Sequence, residues 1–278
     1  DAALAKLKDA LHPIKHTQTI QSHQAQGRIL AADAVARRSN PPRPNSAVDG
    51  YGFAHAATGE GPQKLPLVQG RAAAGQPFAG TVPHGAAVRI LTGAILPDGV
   101  DTVVLEEDCA LDGASVIFDG PVKPRANTRK AGEDVFAGQE IVTAGRKITP
   151  ADLALLAATG VSVLSVRQRL RVGVISTGDE IVQPGETAAD GQIFDANRPM
   201  LLGLIAQLGH TPVDLGHVGD DRAALRARLD DAGGQVDAIL TSGGASAGDE
   251  DHVSALLREA GAMQEWRIAL KPGRPLAL

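Results

Sequence analysis

The stretch that decides the fold reads Leu240-Thr241-Ser242-Gly243-Gly244-Ala245-Ser246-Ala247-Gly248-Asp249-Glu250-Asp251. The apolar run at 238–240 predicts a buried strand, and the apolar pattern that begins at Val253 predicts a helix. A strand that passes through a glycine-rich turn into a helix presents backbone N–H groups to an anion, and the helix dipole strengthens the attraction. Carboxylates follow the turn, and divalent cations prefer such ligands. The stretch therefore predicts both halves of a phosphate–metal site.

The sequence around this stretch alternates predicted strands and helices. Strands are predicted at 172–175, 212–215, 238–240, 268–270 and 276–278, and helices at 200–208, after the capping residue Asp221, and at 253–260. This alternation is typical of a mainly parallel, doubly wound α/β sheet, in which ligands collect at the carboxyl ends of the strands. Residues 177–180, Asp220 and residues 242–251 all follow strands, so we expect them to share one crevice.

Carboxylates are concentrated in these loops. The acids are Asp179, Glu180, Asp220, Asp221, Asp249 and Asp251. Such a cluster raises the pKa values of its members unless a cation or basic groups compensate the charge. Asp221 and Asp249 are also candidates for helix caps. The alternative interpretation is an ordinary set of turns with solvated acids.

Two basic turns are candidates for anion binding. Lys271 and Arg274 flank Pro272-Gly273 after a predicted strand, and Arg129-Lys130 lie in the turn 124–134, which ends in acids. Both turns can neutralise phosphate or a small oxyanion. The alternative interpretation of each is a solvated surface turn.

The first part of the chain has a different sequence pattern. Residues 1–40 predict one or two helical stretches, and β-like runs at 65–68, 87–91, 102–105 and 115–118 predict a small β-rich domain. Residues 149–152 predict a helix start, and Gly160 ends that helix. We therefore predict three domains. They are a discontinuous helical or linker domain (1–40 and 136–168), an inserted β-rich domain (41–135) and an α/β domain (169–278).

Composition excludes several classes of protein. The 278 residues are 43% hydrophobic and carry a formal net charge of −5, so the chain has no general attraction for nucleic acid or anionic membranes. No apolar run is long enough to span a membrane. The single cysteine, Cys109, excludes an internal disulfide and has no basic neighbour to activate it. The eight histidines lack metal-ligand spacing, and a cytoplasmic location is expected.

Several strings together resemble the molybdopterin molybdotransferase family, which inserts molybdenum into the molybdenum cofactor and includes the E domain of gephyrin. Three of them are Ser46-Ala47-Val48-Asp49-Gly50-Tyr51, Arg89-Ile90-Leu91-Thr92-Gly93-Ala94 and Gly191-Gln192-Ile193-Phe194-Asp195-Ala196-Asn197. The others are 27–31, 41–42, 132–134, 176–180, 220–221, 241–246 and 271–275. The strings occur in family order across nearly the whole chain.

The resemblance implies a homodimer with its active site between subunits and a molybdopterin-binding fold for the α/β domain. It implies adenylated molybdopterin and molybdate as substrates, Mg²⁺ as cofactor, AMP as product and a molybdopterin adenylyltransferase as substrate donor. The implied catalytic residues are Asp49, Thr92, Asp134, Glu180, Asp251 and Lys271, and the implied metal ligands are Glu180, Asp249 and Asp251. The implied substrate-binding residues are Thr177, Gly178, Asp220, Ser242, Gly243, Gly244, Ser246, Arg129, Lys130 and Arg274.

Some features depart from the family pattern. Ala245 and Ala247 replace the usual valines, and the family's Pro-Gly-Asn-Pro loop and C-terminal β domain do not follow Leu278, so we expect a chain that ends early. Two rival functions stay open. The first is a gephyrin-like scaffold or binding protein, which could lose the acid set that this chain keeps. The second is a nucleotide hydrolase that shares only the α/β domain, and the strings at 46–51 and 89–94 argue against it.

Overall fold

The structure, a computed structural model, describes residues 5, 8–9, 11–243, 252–260, 265–267 and 275–277. The chain divides into two compact units. Residues 19–165 form the first, which we call the β unit, and residues 1–18 with 166–278 form the second, which we call the α/β unit. The three-domain division remains a prediction.

Strands dominate residues 17–167. They are β1 (Thr17–Gln21), β2 (Ala34–Val35), β3 (Asn45–Ser46), β4 (Gly50–Phe53), β5 (Gly61–Ala72), β6 (Ala87–Ile90), β7 (Thr102–Leu105), β8 (Cys109–Asp112), β9 (Ser115–Gly120), β10 (Thr128–Arg129), β11 (Glu140–Val142) and β12 (Val163–Arg167). One α-helix, α1 (Pro150–Ala158), and the 3-10 turns Ser22–Gln24, His55–Ala57 and Glu106–Asp108 complete this part.

A six-stranded sheet, in the order β7-β4-β6-β5-β9-β8, is the largest element of the β unit. The long strand β5 pairs antiparallel with β9 through residues 61–66 and parallel with β6 through residues 67–72, so it joins the two halves of the sheet. The stacked rings of Phe53 and Phe118, with centroids 5.0 Å apart, lie in its core. The predicted runs at 65–68, 87–91, 102–105 and 115–118 overlap these strands.

The α/β unit contains the predicted alternation. Its strands are β13 (Arg171–Thr177), β14 (Ile181–Val182), β15 (Ile193–Phe194), β16 (Thr211–Val218), β17 (Ala238–Ser242), β18 (Glu265–Arg267) and β19 (Pro275–Ala277). Its helices are α2 (Asn197–Gln207), α3 (Arg222–Ala232) and α4 (His252–Glu259). The mixed α/β class predicted from the sequence is confirmed. The predicted strand at 268–270 lies outside the described residues.

A parallel three-stranded sheet, in the order β16-β13-β17, forms the centre of this unit. Alternate residues of β13 point to opposite faces, so Val172 and Val174 pack against Ile205 of α2, whereas Ile175 packs with residues of α3 and α4. The chain leaves β13 first to β16 on one side and then to β17 on the other. The sheet therefore has a topological switch at the carboxyl end of β13, where open α/β sheets bind ligands.

The prediction of helices within residues 1–40 is only partly correct. Residues 5, 8 and 9 are helical, but residues 11–40 contain β1, β2 and a single 3-10 turn. In β1, exposed and half-buried residues alternate along Thr17–Gln21, which is the pattern of a strand with one covered face. Within the described residues, no helix has the length and apolar character needed to cross a membrane.

A capping box starts α1, as the sequence predicts. The Thr149 hydroxyl accepts a bond from the Asp152 amide, and the Asp152 carboxylate accepts one from the Thr149 amide at 2.8 Å. Arg146 pairs with the same carboxylate at 3.0 Å. Burial raises the pKa of Asp152, but the bonds from Thr149 and Arg146 outweigh it and hold the pKa below its ordinary value of 3.8.

We predict that Asp152→Asn lowers the free energy of unfolding at pH 7 by about 1–2 kcal/mol, because charge-assisted hydrogen bonds are lost. The folded-state pKa is depressed, so this stabilisation is present above the unfolded value of 3.8 and is lost as the pH falls through the folded value. Urea unfolding between pH 7 and about pH 3 measures the difference. The exposed Asp119→Asn is the control, and an Asp152→Asn deficit that stays constant with pH would contradict the assignment.

Candidate functional site

The ends of all three parallel strands open onto one cavity of about 140 Å³ in the α/β unit. Thr177 and Gly178 come from the end of β13, Gly219 and Asp220 follow β16, and Gly243 follows β17. The complete lining is Thr177, Gly178, Glu180, Gly219, Asp220, Leu225, Gly243, His252 and Val253. Five residues that the sequence nominated as site residues therefore line the same cavity, namely Thr177, Gly178, Glu180, Asp220 and Gly243. Their chemical roles remain predictions.

Two glycines, which have no side chain to cover the backbone, line this cavity. Gly243 has a φ of +105°, and a Cβ atom there would lie 2.6 Å from both the carbonyl oxygen and the Oγ1 of Thr177. Gly178 has a φ of +128°, and a Cβ atom there would meet only the exposed carboxylate of Glu180, which can move away. The positive φ favours glycine at both positions, and at Gly243 the nearby Thr177 backbone also leaves no room for a Cβ atom. The sequence pattern predicted glycine turns here, and the contacts supply the physical reason for them.

The loops after β13 and β16 bind each other through two aspartates. The Asp220 amide donates to the Asp179 carboxylate at 2.9 Å, and the Asp179 amide donates to the Asp220 carboxylate at 3.3 Å. The ring nitrogens Nε2 of His217 and His252 lie 2.7 Å and 3.2 Å from the carbonyl oxygens of Gly178 and Asp220. Asp179 therefore has a structural role, which the sequence did not separate from the role of the other acids.

The Glu180 carboxylate has no hydrogen bond or ion pair within the part of the chain that the structure describes. It is exposed, and it lines the same cavity as Asp220. No group of three His, Cys, Asp or Glu side chains able to hold a metal occurs among the described residues. Asp221 caps α3 by accepting from the amides of Ala223 and Ala224, as predicted. The cavity thus offers two carboxylates, not a complete protein cage for a cation.

Several nominated residues lie outside the described residues. They are Gly244, Ser246, Asp249, Asp251, Lys271 and Arg274. Ser242 is described, and its hydroxyl oxygen accepts a bond from Asn197 Nδ2 at 3.0 Å. Asn197 is a residue that the sequence did not nominate, although it ends one of the strings that carry the resemblance.

The nominated residues of the β unit form two separate contacts. Asp49 Oδ1 accepts bonds of 2.6 Å from both the amide and the hydroxyl of Thr92. The side-chain bond from Thr92 lowers the pKa of Asp49 most, and the backbone bond lowers it further. The Thr92 hydroxyl, implied as catalytic by the resemblance, donates its proton to Asp49, since the turns that carry the two residues adjoin.

Arg129 also has partners within its own turn. Its guanidinium donates to Glu133 at 3.1 Å and to Asp134 at 2.5 Å, and these bonds raise its pKa. The expected oxyanion function of Arg129 therefore competes with two carboxylates. Lys130 and Arg129 line the same cavity of about 430 Å³, together with Arg43, Arg125 and the acids Asp98 and Asp101. The Lys130 ammonium group, unlike the Arg129 guanidinium, has no ion pair among the described residues. Lys130 is thus the better placed of the two for an oxyanion.

Cys109 does not have the environment of a nucleophile. Its thiol lies 3.1 Å from the Leu105 carbonyl oxygen. Burial, assisted by the charge of Asp108, raises the pKa of Cys109 to about 11. The thiol is therefore neutral at pH 7, in agreement with the expectation from the sequence.

We predict that Gly243→Ala destabilises the α/β unit by about 1–3 kcal/mol, because alanine is strained at a φ of +105° and its Cβ atom meets Thr177. Urea unfolding followed by circular dichroism measures the loss. Gly234→Ala is the matched control in the same unit, since no atom lies within 4 Å of its Cβ position. Equal stability of the two variants would show that the close approach at Gly243 does not exist.

Comparison with known proteins connects this geometry to a family. The family model described as the MoeA N-terminal region (domain I and II) matches residues 1–160, and the one described as a probable molybdopterin binding domain matches residues 173–278. The crystal structure of the molybdopterin biosynthesis moeA protein from Pyrococcus horikoshii OT3 is similar, with a TM-score of 0.86 and 29% identity. That similarity covers 100% of this chain and 70% of the other.

Curated relatives carry a consistent name. The molybdopterin molybdenumtransferase of Haemophilus influenzae is 37% identical over 279 residues, which are 100% of this chain and 68% of the relative. Molybdopterin molybdenumtransferase 2 of Mycobacterium tuberculosis is 37% identical over 284 residues, with 98% of this chain and 68% of the relative covered. The similarity spans both units, which excludes a protein that shares only the α/β domain. The chain therefore belongs to the molybdopterin molybdenumtransferases, a family of transferases in molybdenum cofactor biosynthesis.

Proposed function

We propose that this protein inserts molybdate into adenylated molybdopterin and releases AMP when the pyrophosphate link is hydrolysed. The observation that carries the proposal is the cavity at the switch point of the α/β unit, where strand ends supply bare backbone, a hydroxyl and two carboxylates. A phosphoanhydride needs such a combination, because its oxygens take hydrogen bonds from the backbone and share a cation with the acids. Hydrolysis consumes one water molecule and breaks one P–O bond of the anhydride.

The turn after β17 binds the phosphate in this proposal. Gly243 keeps side-chain atoms away from the backbone, and the Thr177 and Ser242 hydroxyls can donate to phosphate oxygens. We assign the same role to Gly244 and Ser246, which follow Gly243 in the sequence. Lys271 and Arg274 would compensate the negative charge of the anhydride.

The donor set of the cavity suits Mg²⁺. This ion is usually bound by a few carboxylates together with substrate phosphates, and the carboxyl-bearing residues Glu180 and Asp220 both line the cavity. We propose Glu180 as a ligand, with Asp249 and Asp251, which come after Gly243 in the sequence, as further ligands. When bound, Mg²⁺ would offset the charge that develops on the phosphate oxygens.

We further propose that the active enzyme is a homodimer in which each site uses the α/β unit of one copy and the β unit of the other. In this arrangement Asp49, held ionised by Thr92, and Asp134, paired with Arg129, would face the substrate from the partner copy. Lys130 would attract molybdate to the site. A molybdopterin adenylyltransferase would supply the substrate, and the reaction would take place in the cytoplasm.

We predict that the purified protein, given adenylated molybdopterin, molybdate and Mg²⁺, releases AMP, and that Glu180→Gln lowers the turnover number by roughly 100-fold. The loss is expected because the variant removes a cation ligand without removing a hydrogen bond that stabilises the fold. Quantification of AMP by chromatography measures turnover, and thermal unfolding confirms that both proteins are folded.

Asp190→Asn is the matched control, because Asp190 is an exposed acid in the loop 178–196 and lies outside the cavity lining. The control should retain the activity of the original protein. Absence of AMP release from a folded dimer would rule out the enzymatic function and favour a scaffold. An equal loss in both variants would remove Glu180 from the site.

A further inference from the structure

A charged network that the proposed function does not use lies directly behind the cavity. Arg198, in the first turn of α2, has a side chain only 12% exposed. Its Nε donates to Asp195 at 2.9 Å, and its Nη1 donates to both carboxylate oxygens of Asp214 at 2.5 and 2.6 Å. Its Nη2 donates to the side-chain carbonyl of Gln183. One guanidinium therefore connects three separate segments of the α/β unit.

Asp195 carries this network to the end of β13. Its side chain is 3% exposed, and it accepts a 2.7 Å bond from the hydroxyl of Ser176. Burial raises the pKa of Asp195, but the bonds from Arg198 and Ser176 outweigh it, so the carboxyl stays ionised. Ser176 directly precedes Thr177, which lines the cavity. Ser176 is also paired by backbone with His217 and Ser242, so the buried ion pair adds a side-chain anchor at the end of β13.

The segment that carries Glu180 depends on the same guanidinium. It is held by the short parallel pair β14–β15, in which the Ile193 amide bonds the Glu180 carbonyl at 2.8 Å. Ile193 and Phe194 are 57% and 51% exposed, so apolar burial contributes little to holding this pair in place. Its anchors include the bond from Arg198 to Gln183 and the bond from the Asp195 amide to the Val182 carbonyl oxygen at 2.9 Å, while the Asp179–Asp220 bonds hold the residue before Glu180.

We propose that Arg198 is a positioning residue of the site, which fixes Thr177 through Asp195 and Glu180 through Gln183 without touching the substrate. The part of this proposal that concerns turnover rests on the proposed function. A planar guanidinium has donors in several directions at once, whereas a lysine ammonium cannot bond the same three partners in this geometry. A lysine at position 198 should therefore keep the positive charge but should not hold Glu180 in place.

The test compares Arg198→Lys and Arg198→Gln with Arg171→Gln. Arg171 is the matched control, because it begins β13 at the opposite end of the strand from the cavity and pairs with Asp237. Hydrogen exchange of peptides covering residues 178–194 reports how readily this segment opens, and it needs no substrate. AMP release at varied Mg²⁺ concentrations reports the turnover number and the half-saturating Mg²⁺ concentration.

We expect both Arg198 variants to exchange faster in residues 178–194, to lose about 10- to 100-fold in turnover and to need more Mg²⁺, as supporting residues behind a metal site do. Arg171→Gln should change none of these quantities. Wild-type exchange and turnover in Arg198→Lys would overturn the proposal. So would equal effects of the Arg198 and Arg171 variants, because they would indicate a general loss of stability.

Arg198→Gln leaves a buried unpaired carboxylate and can fail to fold for that reason. The double variant Asp195→Asn with Arg198→Gln removes both charges, while the new amide still accepts from Ser176. A folded double variant should show the fast exchange and low turnover, and native values of both would overturn the proposal. If the wild-type protein releases no AMP, the proposed function fails, whereas the exchange experiment still decides whether Arg198 holds the loop.

Discussion

The rest of the structure depends on the burial of β13, which is covered on both faces and paired in parallel on both edges. Because neighbouring parallel strands end at the same edge of a sheet, the loops after β13, β16 and β17 must meet there. Leu225 and Val253 close that edge from the helices. The cavity is thus a consequence of packing, and its chemistry follows from which residues occupy the three strand ends.

Among the described residues, most of the acids near the cavity have partners within the protein. Asp179 and Asp220 each receive the other's backbone amide, Asp221 caps α3, and Asp195 is neutralised by Arg198. Glu180 has no such partner among the residues that the structure describes. This acid without a protein partner, beside a strand end that carries glycine, is the feature from which we propose a cation with a phosphate ligand as the occupant of the cavity.

Local patterns in the sequence predicted much of this arrangement, because strand periodicity, glycine turns and caps are encoded within a few residues. The strands of the central sheet, the caps at Asp221 and Thr149 and the convergence at the cavity belong to this class. The pairing of Thr92 with Asp49 and of Arg198 with Asp195, Asp214 and Gln183 could not be predicted, since it depends on side-chain directions set by tertiary packing. Residues 11–40 were misjudged because their short apolar runs fit a helix or a strand equally well.

Anomalous diffraction from crystals grown with Mn²⁺ in place of Mg²⁺ and with AMP tests the central claim most directly. If the strand ends form a phosphate–metal site, a manganese peak will lie within coordinating distance of a carboxylate oxygen of Glu180 or Asp220, with the phosphate of AMP next to Gly243. Manganese and AMP bound together at another place, with the cavity free of both, would contradict the account.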